Sequence, residues 1–146
     1  MLRPTSLIFA CCIAIAGCSK SDTEITNLAE IQRQARITIP ASANNLHCAT
    51  EADHRGPDAA TFGRFDIPKT ELSLVLAEMP GDRKIEPYAG YSNVTSHKIG
   101  RPWWQPESLK QKQAANWSMP GYSINLLIGA HGSKDSVTVY YFNFSM

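Results

Sequence analysis

His47, Cys48, Asp53 and His54 form the densest run of side chains in the chain that could hold a metal or move a proton. Zinc requires three or four such groups converging at about 2.0–2.3 Å, with further groups orienting each imidazole. Asn45 to Glu51 reads as a strand, and successive strand residues point to opposite faces, so His47 and Cys48 reach one metal only if the strand is distorted. The expectation is a small buried cysteine beside solvated turn residues. A nucleophile elbow needs glycine two positions either side of its serine, because that strained turn has no room for a Cβ. Gly90-Tyr91-Ser92-Asn93-Val94 lacks the second glycine. The sequence carries no phosphate loop, dinucleotide fingerprint or paired-histidine zinc helix. No catalytic residue, metal or cofactor is therefore assigned.

Pro102-Trp103-Trp104-Gln105-Pro106, with Trp117 and Tyr122 further on, is the most distinctive group of residues. Adjacent tryptophans in a proline-bounded loop cannot both face the same way, so one would anchor the loop to the core and the other lie nearer the surface. An exposed aromatic face binds sugars, peptides or cationic groups, and Arg101 can stack beside it. Arg101, Trp103 and Trp104 are the candidate partner-binding residues. The plainer alternative is that both rings plug the edge of the core.

The N-terminal stretch has the layout of a secretory signal peptide: Arg3, a short apolar run from Leu7 to Ala16, then small residues leading to Cys18. The run is shorter than the roughly 17–25 residues a spanning helix needs. Ile15-Ala16-Gly17-Cys18 resembles the lipobox of bacterial lipoproteins. That resemblance implies cleavage before Cys18 and lipidation of its sulfur, making Cys18 the first mature residue and the bilayer its first partner. Buried acyl methylenes contribute about 0.8 kcal/mol each and one chain anchors only marginally; the three chains implied would hold firmly. Ser19 at the next position implies the outer membrane, facing the periplasm.

Removal of residues 1–17 leaves 129 of the 146, enough for one domain. Arg3 goes with the leader, so 13 of the 14 basic side chains remain against 13 acidic ones. A neutral domain gives no pull toward nucleic acid or an anionic lipid surface. Cys11 and Cys12 leave with the leader and lipid consumes Cys18, so Cys48 has no partner for an intramolecular disulfide.

The elements that must position these groups follow from periodicity. Ser21-Asp22-Thr23-Glu24 has capping-box spacing and predicts a thin helix to about Arg36 within a tether, 18–38. The domain proper is then 39–146. A strand over Asn45–Glu51 and alternation in Thr61-Phe62-Gly63-Arg64-Phe65-Asp66 predict an antiparallel pair across a Gly56-Pro57 turn. Pro68 opens the clearest helix, with Leu72, Val75, Leu76 and Met79 on one face and Pro80-Gly81 ending it. Residues 82–120 lack periodicity, although Pro106 to Trp117 suits a short polar helix. Ser123–Ala130 and Ser136–Phe144 form a hairpin whose second arm is apolar on both faces. The order strand, strand, helix, strand, strand predicts an α+β domain: an antiparallel sheet of about four strands packed against one main helix.

Ile39-Pro40-Ala41-Ser42-Ala43-Asn44, Arg64-Phe65-Asp66-Ile67-Pro68 and Pro102-Trp103-Trp104-Gln105-Pro106 together resemble the landmarks of a family of small, uncharacterised bacterial envelope domains. The resemblance implies a single domain of this layout and no activity. The leading functional expectation is a non-enzymatic envelope lipoprotein that binds another envelope protein or a cell-wall component. An immunity- or inhibitor-type lipoprotein that blocks a periplasmic enzyme is the alternative, and a hydrolase using His54, His47 or Cys48 comes last.

Overall fold

The computed structural model describes residues 23–52, 59–77, 79 and 85–145. Cys18 with its preceding residues, Ser19, Asp53, His54 and Pro80-Gly81 lie outside the described residues. Seven strands form one sheet: β1 (Thr23–Ile25), β2 (Asn44–Ala52), β3 (Ala59–Pro68), β4 (Glu86–Pro87), β5 (Lys110–Met119), β6 (Tyr122–Ala130) and β7 (Ser136–Ser145). Their order is β1-β2-β3-β7-β6-β5-β4, and every neighbouring pair is antiparallel. Among the described residues three short α-helices accompany them: α1 (Leu28–Ala35), α2 (Leu72–Ala77) and α3 (Asn93–Ser96).

This corrects the expectation of about four strands on one main helix. The apolar face of Leu72, Val75, Leu76 and Met79 exists, but its helix is only six residues long. Pro68 does not open that helix: β7 offers β3 a partner as far as Ser136, so the strand continues through Pro68 and a 3₁₀ turn takes up Lys69–Glu71. Lys110 to Met119, rich in good helix formers, is a strand because β6 pairs along it, and Ala115 and Trp117 fall on one buried face. Tertiary pairing overrides a weak local preference. Pro120 and Gly121 close this hairpin in two residues, Gly121 taking the positive φ of 83° that favours glycine.

The thin helix expected near the N-terminus begins later. Thr23–Ile25 instead adds a strand to the edge of β2, and the cap is Asn27, whose side chain accepts from the Glu30 backbone N–H. Ile31 and Ala35 are fully buried on the sheet, so α1 supplies the helical cover.

Both faces of the sheet are covered, which explains seven consecutive buried residues in β6 and again in β7. On one face Ile31, Ala35, Ile37, Val75 and Met79 lie over Cys48, Phe65, Ile67, Trp117, Ile124, Leu126 and Tyr141. On the other face the cover is the connection between β4 and β5, through Val94, Trp104 and Leu109. They pack on Ala49, Phe62, Leu127, Tyr140 and Phe142. The aperiodic part of the sequence is thus the second layer of the domain.

Candidate functional site

Strand alternation decides the fate of the histidine–cysteine pair. His47 lies on the loop-covered face, its ring stacked on Trp103 at 5.2 Å and 11°, with Nδ1 3.7 Å from Glu24 Oε1. Cys48 lies on the opposite face, fully buried beside Tyr141. Burial pushes the Cys48 thiol up to about 11, against a smaller opposing influence of the Tyr141 hydroxyl. A thiol so buried and so weakly acidic is a packing group rather than a nucleophile. Among the described residues no three His, Cys, Asp or Glu side chains converge as a metal site.

The tryptophan pair divides between core and margin. Trp104 is buried, edge-on to Phe62 at 5.6 Å and to Tyr140 at 5.3 Å, and its Nε1 donates to the His97 carbonyl at 3.2 Å. Trp103 is half-buried between His47 and Phe62. Arg101 is half-buried too, its carbonyl accepting from the Trp104 backbone N–H at 3.0 Å.

A polar cluster on the same face fastens this loop to the sheet. Tyr140 Oη accepts from Gln105 N at 3.3 Å and Arg64 Nη1 at 3.4 Å, and donates to the Trp103 carbonyl at 3.4 Å. Asp66 accepts from Asn45 Nδ2 at 2.6 Å, Thr138 Oγ1 at 2.5 Å and Arg64 Nη2 at 3.2 Å. Burial acts most strongly on Asp66 and opposes its ionisation, but the Asn45 and Thr138 hydrogen bonds and the Arg64 guanidinium together outweigh it and hold its pKa below the usual value. A depressed folded-state pKa means that ionised Asp66 stabilises the fold fully above its unfolded-chain value of about 3.9. That contribution is lost as pH falls through the lower folded value. Asp66→Asn, which leaves the Arg64 charge largely enclosed without its counterion, is expected to destabilise by about 3 kcal/mol at pH 7. Urea titrations of both proteins from pH 7 to pH 2 check this: the difference should close below pH 4, and a constant difference would refute the ionic origin.

A recess lies at the far edge of the sheet, where β4 and β5 meet α3. It is a cleft of about 540 Å³, and Glu86, Tyr91, Ser92, Asn93, Asn116 and Asn125 supply its polar lining. Asn125 sits mid-strand in β6, an amide within an apolar run, and is almost fully buried. Its Nδ2 donates to Ser123 Oγ at 3.2 Å and to the Phe142 carbonyl at 3.0 Å, and its Oδ1 accepts from Asn93 Nδ2 at 2.9 Å. A carbonyl only accepts, so the Phe142 contact fixes which way the Asn125 amide points and thereby which way Asn93 points. Asn93 Oδ1 in turn accepts from Tyr91 Oη at 3.4 Å. Ser92 caps α3 by accepting from Val94 N, and His97 Nδ1 donates to the Asn93 carbonyl at 2.7 Å while its ring stacks on Phe142 at 4.0 Å. Tyr91 itself is 73% exposed.

No family model, curated protein or solved structure matches the chain. The site is therefore described by its own chemistry. Tyr91 and Asn93 enter the sequence reading only as neighbours of Ser92 in a rejected nucleophile elbow, and Glu86, Asn116 and Asn125 are not singled out. Two signals were present: an asparagine inside the apolar run Ile124 to Ile128, and a tyrosine, serine and asparagine together just after Gly90. Neither says that β5, expected to be helical, brings Asn116 opposite Asn125.

Proposed function

We propose that this chain is a lipid-anchored envelope protein, non-enzymatic, whose domain binds a cell-wall component or another envelope protein. The observation that supports this reading is that the cleft borders the sheet edge opposite the N-terminal strand β1. Cys18, the lipidated residue implied by Ile15-Ala16-Gly17-Cys18, stands five positions before Thr23, the first residue of β1. Five extended residues span at most about 18 Å, so an anchor at Cys18 would keep edge strand β1 within that reach of the bilayer. β4, which borders the cleft, is the opposite edge strand, six positions along the sheet. At about 4.8 Å per strand the two edges are about 29 Å apart. The strand nearest the proposed anchor and the strand that borders the cleft are thus opposite edges of the sheet.

The loop-face tryptophans have a lesser part. Trp104 is committed to the core, which leaves Trp103 and Arg101 as a margin that a bound partner would brush. Cys48, buried and with its thiol held protonated at neutral pH, argues against the hydrolase reading.

Co-sedimentation of the full-length, detergent-solubilised protein with isolated cell-wall sacculi tests the proposal, alongside crosslinking in intact cells. Retention on the walls, or a single crosslinked envelope protein, is expected. Neither retention nor a crosslinked product would refute it. A one-to-one complex with an enzyme that loses activity would favour the inhibitor alternative.

A further inference from the structure

We propose that the cleft between β4, β5 and α3 is a carbohydrate site, taking an uncharged sugar rich in hydroxyl and amide groups. This rests on the binding-module reading above and specifies its ligand. Among the described residues the lining side chains include one acid, Glu86, and no base, with the amides of Asn93, Asn116 and Asn125, and the hydroxyls of Ser92 and Tyr91. A phosphate- or carboxylate-bearing ligand would be repelled by the Glu86 carboxylate there. A neutral polyol meets groups that both donate and accept, which is what each sugar hydroxyl requires.

The geometry adds an apolar platform. Tyr91 stands at the rim, 73% exposed, one of two large apolar side chains so exposed among the described residues. An aromatic ring beside a polar cleft offers the C–H face of a pyranose its stacking surface while amides take the equatorial hydroxyls. The Tyr91 hydroxyl, within 3.4 Å of Asn93 Oδ1, couples ring to amide.

Preorganisation is the third element. Asn93 is not a loose surface amide: the Asn125 Oδ1 holds one of its Nδ2 hydrogens, and Asn125 is locked by Ser123 and Phe142. Asn93 can offer its other Nδ2 hydrogen and a lone pair of Oδ1 in a fixed orientation without first losing side-chain freedom. Asn125 acts through Asn93 and is a positioning residue. The volume, about 540 Å³, is within the range of small-ligand clefts.

The test is isothermal titration of the full-length protein in detergent micelles with a β-1,4-linked N-acetylglucosamine tetramer. The wild type should bind it, and Tyr91→Ala should bind about tenfold more weakly. Thermal unfolding of Tyr91→Ala without ligand should match the wild type, because the ring is exposed. Asn93→Ala should also lose affinity, and its unfolding midpoint separates lost contacts from a displaced α3. No heat with the tetramer, or unchanged affinity in Tyr91→Ala, overturns the assignment. Retention on sacculi or a crosslinked envelope protein, combined with no tetramer binding, would overturn the carbohydrate cleft alone, whereas no tetramer binding, no retention and no crosslinked product would overturn the binding-module reading as well.

Discussion

Trp104→Ala is expected to lower the unfolding free energy by about 3–5 kcal/mol, the range for truncating a large buried aromatic. Only 6% of Trp104 is exposed, and its ring meets Phe62, Trp103 and Tyr140 edge-on at 5.3–6.1 Å, a preferred arrangement for aromatic pairs. The loss exceeds the cavity alone. Trp104 Nε1 holds the His97 carbonyl, and the loop has no long helix of its own, so the second layer over Phe62, Leu127 and Tyr140 depends on this ring. Trp103→Ala should cost roughly half as much, because that ring is half-buried. Urea denaturation of both variants measures the contrast. Equal effects would mean that the two rings do not divide into core and margin.

Gly63→Ala is the second large effect, about 3 kcal/mol from the smallest possible addition. A Cβ there would sit 2.3 Å from the His47 carbonyl oxygen and 2.3 Å from Tyr141 Oη. Gly63 lies in the row Cys48, Gly63, Tyr141, Leu126, Ala115 across the sheet, and the large Tyr141 ring is accommodated by the absent side chain. The Tyr141 hydroxyl is buried against the Cys48 thiol without a well-directed hydrogen bond. Tyr141→Phe alone should therefore change stability little. In Gly63→Ala it should recover only part of the loss, since the clash with the His47 backbone remains. Midpoints from a double-mutant cycle in urea decide this; complete recovery would show that the backbone contact is soft.

The parts of the fold that were legible are those in which one strand's own alternation is the signal. Phe62 and Arg64 against Gly63 and Phe65 separate cleanly by face, and the β6–β7 hairpin announces itself through β-branched and aromatic residues on both arms. The apolar faces of β7 suited a central or covered strand, while the cover expected was one helix on one side. What remained hidden depends on partners far along the chain. β1 and β4 are three and two residues long and have no period to read. β5 carries Lys, Gln and Ala, which suit a helix until β6 lies beside them. The apolar spacing of Leu72 to Met79 was real but could not reveal that β3 would claim Pro68 first.

The site was harder still. An asparagine within an apolar strand is costly to bury unless it is satisfied, and Asn125 is satisfied from three directions: Asn93, Ser123 and the Phe142 carbonyl. Those partners lie 32, 2 and 17 residues away, so spacing along the chain carries no trace of the cluster. The histidine–cysteine pair was the reverse case. Its density in the sequence suggested a site, and simple alternation already placed the two side chains on opposite faces.

Lipidation of Cys18 is the central proposal, since it would give the sheet a membrane end and the cleft an outward one. Intact mass measurement of the mature protein extracted from membranes tests that most directly. The expected species begins at Cys18 and carries the added mass of thioether- and amide-linked acyl chains, and Cys18→Ser abolishes both the cleavage and the added mass. A mature chain that begins elsewhere, or at an unmodified Cys18, would contradict it.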